Sequence, residues 1–351
     1  MNLQSVISDI RPADTAYAKA AKQKWDAIAK PLGSLGLLEE FVSRICAMTG
    51  SLTPQIKKRC VAVFCADNGV VCEGVTQTGS EVTAIVAKNL CTKKTSVCKM
   101  AKIALADVIP VDIGMFHPIE DSRIKNLRVA PGTQNIRSKR AMTREQAVLG
   151  IEKGIALAVE LSQQGYELFA TGEMGIGNTT TSSAVASVLL NRPVERMTGP
   201  GAGLSQEGVA HKIAVIVDAI RINDPNHQDP IDVLSALGGF DIAGMAGFCL
   251  GAALERKPCL IDGFISGVSA LIAVRLCPSC VDYMLASHVS AEPAGALVLE
   301  ALGLRPLISA GMRLGEGTGA VAAMPLLDMA FSVFDTMSTF EEVSIEAYRP
   351  L

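Results

Sequence analysis

The chain has 351 residues, of which 49% are hydrophobic, 4% aromatic and 19% charged, an aliphatic globular composition. That length accommodates one large domain plus a smaller one with an ample core. A formal net charge of -3 gives no general attraction to nucleic acid or to an anionic membrane, so polyanion binding is disfavoured.

The opening residues, Met1 to Val6, lack the basic segment and apolar core of a secretory signal, so a cytoplasmic location is expected. Two helices are predicted next. Asp14 to Ala29 is rich in Ala and Lys, and Leu37 to Met48 has apolar residues at helical spacing, with Lys30-Pro31-Leu32-Gly33-Ser34-Leu35-Gly36 as the loop between them. From residue 60 onward the pattern changes to short β-branched runs, each closed by polar or glycine residues and followed by a helix. The expected strands are Cys60 to Ala66, Val108 to Ile113, Leu127 to Ala130, Glu167 to Thr171 and Pro258 to Asp262. Near-continuous apolar strands alternating with helices predict an α/β fold: a doubly wound, Rossmann-like parallel sheet with helices on both faces. The last strand-to-helix unit is expected to end near residue 275. Residues 60–275 then form the large α/β domain, and 1–59 with 276–351 form a smaller helical domain that completes the active site. The apolar stretch from Val233 to Leu254 is about as long as a membrane span, but Asp241 interrupts it and Gly238, Gly239, Gly244, Gly247 and Gly251 dilute it. A buried, tightly packed helix is expected there, and no membrane span.

The ten cysteines are scattered, several inside apolar runs such as Val61 to Ala66, which is how reduced cysteines used as small core residues look. Cys277-Pro278-Ser279-Cys280 has redox-motif spacing, but it follows an apolar helix and no second pair completes a zinc site. His117, His211, His227 and His288 show no His-x-x-x-His spacing. Neither a metal site nor a cofactor is expected.

In a parallel sheet, ligands bind beyond the carboxyl ends of the strands. Ala66-Asp67-Asn68-Gly69, Asp112-Ile113-Gly114, Gly172-Glu173 and Asp262-Gly263 fall there. One carboxylate, Glu316, stands among Gly315, Gly317 and Gly319 where a helix-forming run begins; another, Glu173, stands in Thr171-Gly172-Glu173-Met174-Gly175-Ile176-Gly177. Glycines so spaced indicate backbone that turns sharply or lies close to a ligand. A carboxyl group in a partly apolar turn can titrate near neutrality and act as a general base, or stay charged and stabilise a developing cation. Asn178, Thr179 and Thr180 offer caps and hydroxyl donors at the helix start that follows. The loop carrying Gly199, Gly201 and Gly203 precedes a helical run containing Lys212, and is either a phosphate cradle or a plain turn. It is not a Walker loop, because no Gly-Lys-Ser/Thr follows at the required spacing. Ser290, in Ser287 to Glu292, supplies either a further hydroxyl or a cap. Two glutamates beside phosphate-type loops point to group transfer on a phosphorylated sugar; the alternative is a pair of surface-loop carboxylates.

Together, the segments Lys30 to Gly36, Cys65 to Val70, Glu81 to Ile85, Gly172 to Gly175, Gly238 to Asp241, Asp262 to Phe264, Ser287 to Glu292 and Arg313 to Gly317 resemble the nicotinate-nucleotide:dimethylbenzimidazole phosphoribosyltransferase family of cobamide assembly. The resemblance spans nearly the whole chain in the family order. It implies transfer of phosphoribose from nicotinate mononucleotide to an aromatic acceptor, giving an α-riboside phosphate and nicotinate. It implies that Glu316 is the general base and Glu173 the other carboxylate of that site. Lys212, Gly175, Asn178, Ser290 and the Gly199 to Gly203 loop match the region that holds the nucleotide and its phosphate. The helix from Glu81 to Val86 matches the acceptor pocket, with Thr78, Val82, Val86, Met174 and Leu314 around the ring. The resemblance also implies a dimer, either of identical chains or of this chain with a homologous subunit. Benzimidazole-using members carry glutamine at the position matching Val86 and serine at that matching Thr78, so a more apolar pocket is expected here. That departure leaves the acceptor open between a benzimidazole and a phenol or p-cresol, the substrates of a heterodimeric branch, with a slight preference for the phenolic one. A non-catalytic partner subunit is the competing reading; the intact Glu173, Lys212, Ser290 and Glu316 argue against it. A dinucleotide dehydrogenase is disfavoured because Ala66-Asp67-Asn68-Gly69 replaces Gly-x-Gly-x-x-Gly in the first strand-to-helix turn.

Overall fold

The computed structural model describes residues 2–348. The chain begins with three helices, α1 (Leu3–Asp9), α2 (Thr15–Ala27) and α3 (Leu37–Thr49), ahead of the first strand, β1 (Arg59–Ala66). Helices α4 (Glu81–Cys91) and α5 (Ser96–Ile103) lead to β2 (Ala106–Gly114) and β3 (Lys125–Asn126), and α6 (Arg144–Gln163) leads to β4 (Leu168–Met174). A helical run follows: α7 (Asn178–Leu189), α8 (Val194–Met197), α9 (Gln206–Asn223), α10 (Pro230–Leu237) and α11 (Phe240–Leu254). Then come β5 (Cys259–Ile261), α12 (Phe264–Leu276), β6 (Met284–Ala286), α13 (Gly295–Leu302) and α14 (Thr318–Thr336).

The strands form a single sheet in the order β3-β2-β1-β4-β5-β6, and every neighbouring pair is parallel. The expected Rossmann-like, doubly wound sheet is therefore present. β1 is buried at every position because helices cover both faces, which is why its sequence shows no apolar–polar alternation.

Three details differ from the sequence expectation. β3 is only Lys125–Asn126, ahead of the expected Leu127 to Ala130. The Leu127 and Val129 amides still donate to the Asp112 and Ile113 carbonyls at 2.8 and 2.9 Å, so that segment runs on beside β2 as irregular backbone. Pro131, with no amide to donate, follows it. The sheet also continues past residue 275, because β6 pairs in register with β5. Met284-Leu285-Ala286 holds no β-branched residue, so it does not read as a strand. Finally, α1 precedes the expected helices, started by the Asn2 side chain accepting from the Gln4 and Ser5 amides.

The apolar stretch around Val233 to Leu254 forms two buried helices, α10 and α11, broken at Gly238 and Gly239. Its glycines serve close packing against α6: a Cβ on Gly247 would lie 1.9 Å from the Ile151 carbonyl oxygen, and one on Gly154 would lie 2.0 Å from that of Gly244. α14 is long and apolar enough to cross a membrane by length and composition, but more than half of it is buried; it packs on α3, α5 and β4. The ten cysteines are free, and Cys277 and Cys280 are both buried. The chain ends draw together where the Phe340 amide donates to the Ala27 carbonyl at 3.0 Å.

Candidate active site

In this strand order the chain reverses direction between β1 and β4, the crevice where such sheets bind ligands. Glu173 lies near the carboxyl end of β4, opposite Phe64 of β1. The turn that follows passes directly over β1: a Cβ on Gly175 would sit 2.4 Å from the Ala66 carbonyl oxygen. The loop before α14 docks on the same spot. Gly172 packs on the Glu316 backbone and Gly315 on the Glu173 carboxyl group, where added Cβ atoms would lie 2.7 and 2.2 Å from Glu316 O and Glu173 Oε1. The two glycine-rich elements, remote in sequence, thus lock face to face.

The backbone of the second loop is left-handed at three consecutive residues, with φ of 86° at Gly315, 61° at Glu316 and 87° at Gly317. A non-glycine residue at such a φ is uncommon and persists where the surroundings over-determine it. Asp262, just past β5, does this. Its Oδ1 accepts from the Gly319 and Ala320 amides at 2.7 and 3.0 Å, and its Oδ2 from the Gly317 amide at 3.2 Å. It caps α14 from outside that helix's own sequence. His288 stands behind it, with Nδ1 3.9 Å from Asp262 Oδ1 and 3.1 Å from Ser287 Oγ.

The carboxyl groups of the site are pushed toward protonation. Burial is the main cause of the rise at Glu173, to about 8, with Asp241, Asp262 and Glu316 adding to it and the Asn178 amide opposing. Burial likewise raises Glu316, opposed by the Val97 amide, which donates to its Oε2 at 3.3 Å from the first turn of α5. A carboxyl moved toward neutrality suits a general base.

These groups line a cavity of about 340 Å³. Of the residues anticipated from sequence, Glu173, Met174, Gly175, Asn178, Gly201, Ser290, Leu314, Glu316 and Val86 line it. Thr78 lines a smaller adjoining space of about 80 Å³ that shares the Gly175 to Thr179 wall. Val82 is half-buried one turn before Val86 on α4. Lys212 is buried beside the cavity wall, and donates from Nζ to cavity-lining Thr179 Oγ1 at 2.8 Å and to the Gly199 carbonyl at 3.3 Å. Gly203 is tied to Gln77, whose side-chain amide donates to its carbonyl.

The cavity also takes in Thr179 and Asp262, read from sequence as a helix-start hydroxyl and a strand-end residue, and His288, Glu292 and Arg313, which have no individual role on sequence grounds. Glu292 presses on the glycine loop, its Oε2 2.2 Å from where a Gly199 Cβ would stand. Asp262 had a partial signal, an Asp-Gly pair at a strand end. His288, Glu292 and Arg313 carry no local signature, because their role depends on which strands become neighbours.

A family model described as Phosphoribosyltransferase matches residues 10–345. The chain belongs to that phosphoribosyltransferase family. It is 44% identical over 351 residues, all of both chains, to the nicotinate-nucleotide–dimethylbenzimidazole phosphoribosyltransferase of Ruminiclostridium cellulolyticum. It is 45% identical, again over the full length of both, to the protein of that name from Clostridium acetobutylicum. Among solved structures it is similar to CobT from Thermus thermophilus, with a TM-score of 0.90 and 35% identity over 95% of this chain and 100% of that one. The phosphoribosyltransferase assignment fits the geometry: a sugar-sized cavity at the crevice of the sheet, carboxyl groups on one wall, and a glycine loop on another.

Proposed function

We propose that this phosphoribosyltransferase moves phosphoribose from nicotinate mononucleotide to 5,6-dimethylbenzimidazole, forming the α-riboside 5′-phosphate used in cobamide assembly and releasing nicotinate. The observation that carries the reading is the docking of the Glu316 loop on the Glu173 turn through Gly172 and Gly315, which brings both carboxyl groups to one cavity. The names of the full-length relatives support the two substrates.

The chemistry follows from the groups present. The pyridinium of the nucleotide departs as neutral nicotinate nitrogen, so no general acid is needed at the leaving group. The anomeric carbon develops oxocarbenium character, which a carboxylate beside it stabilises electrostatically. As the acceptor nitrogen attacks, its ring N–H becomes acidic and Glu316 removes the proton. Gly201, Ala202, Thr179 and Arg313 lie on the cavity wall and are suited to the 5′-phosphate, with Lys212 bracing Thr179. The smaller unit, residues 1–59 with 276–351, lends β6 to the edge of the sheet and supplies Ser290, Glu292, Arg313 and Glu316, and so completes the site. We read the enzyme as a cytoplasmic dimer: its buried thiols are free, as in a reducing compartment, and Ile85 on α4 and Leu314 at the cavity are 55% and 56% exposed.

One observation favours a second acceptor. Val86 offers the cavity wall an apolar side chain, which suits a phenol or p-cresol with fewer ring heteroatoms to satisfy. A phenolic hydroxyl with pKa near ~10 also needs a base at Glu316. The test is nicotinate release from nicotinate mononucleotide with benzimidazoles, purines and phenols, using wild type and Val86→Gln. The substitution should move preference toward azole bases. An unchanged ranking would remove Val86 from the account of specificity, and no release with any acceptor would sink the assignment.

A further inference from the structure

Asn178 ties together two buried carboxyl groups. Its Nδ2 donates to Glu173 Oε2 and, at 3.1 Å, to Asp241 Oδ2. All three side chains are buried, Asp241 completely. An amide NH₂ has two hydrogens and no charge, so the carboxyl groups meet across a neutral bridge. The charged groups that bear on Glu173 are Asp241 on α11, Asp262 after β5 and Glu316 before α14, all acidic. From β1 it faces the Cys65 thiol, which burial pushes well up. Asp241 in turn feels Asp67 after β1. Arg313 and His288 line the same cavity but neither is hydrogen-bonded to Glu173.

Carboxyl groups so placed do not all ionise together. Asp241 is the better placed to keep its charge. It lies in the first turn of α11, where its Oδ1 accepts from the Ile242 amide at 3.0 Å and the helix N-terminus favours an anion. Glu173 accepts only from the Asn178 side chain and from no backbone amide among the described residues; Gly315 covers its other oxygen. The directions agree, with Glu173 raised to about 8 and Asp241 to about 6.

We propose that Glu173 is a neutral carboxyl group in the resting site and releases its proton when the nucleotide binds with its positively charged ring nitrogen beside it, with Asp241, acting through Asn178, as the positioning residue that holds it so. This rests on nicotinate mononucleotide being the substrate. The balance is simple: the Glu173 O–H bond breaks, the carboxylate faces the pyridinium, and one proton passes to solvent. The ligand thereby supplies the positive charge that the site lacks, and binding creates the carboxylate the transition state requires. Apparent affinity follows the ionised fraction. With titration near 8, that fraction rises from about 1% near pH 6 to about half near pH 8, so nucleotide affinity should strengthen about fifty-fold over that interval.

The test is calorimetric titration of the enzyme with nicotinate mononucleotide near pH 7 in two buffers of different ionisation enthalpy. Wild type should release close to one proton, about 0.9, and Glu173→Gln about none. Asp241→Asn should release fewer protons than wild type, bind more tightly than wild type near pH 6, and show a flattened pH dependence. A purely structural Asp241 would instead weaken binding equally at every pH, which would overturn its assigned role. Binding heat with equal proton release in wild type and Glu173→Gln would overturn the proton-release inference and leave the substrate standing. Absence of any binding would overturn the substrate itself. The wild-type and Glu173→Gln comparison decides even if Asp241→Asn does not fold.

Discussion

Replacing Asp262 with asparagine should unfasten the loop that carries Glu316. The side chain accepts three backbone N–H bonds, two on Oδ1 and one on Oδ2. Asparagine keeps one acceptor oxygen, turns the other position into a donor facing an N–H, and removes the anion from the α14 N-terminus. A lost cap costs about 1 kcal/mol, and a hydrogen bond to a charged acceptor contributes about 1.5–3 kcal/mol. Burial works the other way, since it raises the Asp262 pKa and so opposes the charge. The net expectation is about 2–3 kcal/mol of destabilisation, seen as a fall of a few degrees in Tm. The effect on activity should be larger than stability alone explains. Glu316 holds a left-handed φ of 61°, a strained state worth about 1–3 kcal/mol that relaxes when the restraint goes. Misplacing a catalytic group by about 1 Å costs about a hundredfold. Thermal denaturation by circular dichroism and kcat for nicotinate release, measured well below the melting temperature, separate the two effects. A variant within twofold of wild-type kcat and within one degree of its Tm would refute the view that Asp262 sets the Glu316 loop.

Three further outcomes are expected. Glu316→Gln should lower kcat by about 10²–10⁴ with little change in KM for the nucleotide, since it removes the proton acceptor and little volume; a loss confined to KM would point to binding rather than proton removal. Glu173, at about 8 in the folded chain against an ordinary 4.5, holds a proton that the unfolded chain has lost, so its contribution to stability falls as pH rises between those values. Glu173→Gln should therefore match wild type in Tm below that window, exceed it increasingly through the window and by a steady margin above it, and the same difference at every pH would contradict the shift. Gly247→Ala would place a Cβ 1.9 Å from the Ile151 carbonyl oxygen and push α11 off α6, so urea unfolding should show about 1–3 kcal/mol of lost stability. A neutral result would mean that the helix crossing is looser than its geometry.

Much of the architecture was legible because the sheet is buried on both faces, so β1 and β4 read as unbroken apolar runs that end in polar or glycine residues. β6 escaped because Met284-Leu285-Ala286 holds no β-branched residue, unlike the equally short β5, and β3 was misplaced because irregular backbone beside β2 continues to satisfy its own amides. The glycines of the Val233 to Leu254 stretch were visible as anomalies, but their purpose was not: they are the contact between α11 and α6.

Sequence by itself determined the chemistry on offer. Glu316 and Glu173 stand out because glycines flank them, and a glycine at a close approach has no substitute. Only the tertiary structure decided what these carboxyl groups are. Glu173 is held near neutrality first by burial and then by Asp241, Asp262 and Glu316, contributed by α11, the end of β5 and the loop before α14. The tertiary structure also sets Lys212 against Thr179 and the Gly199 carbonyl. The physical reason is that composition and spacing are local, whereas desolvation and charge repulsion depend on distances between strand ends that become neighbours only when the parallel sheet assembles.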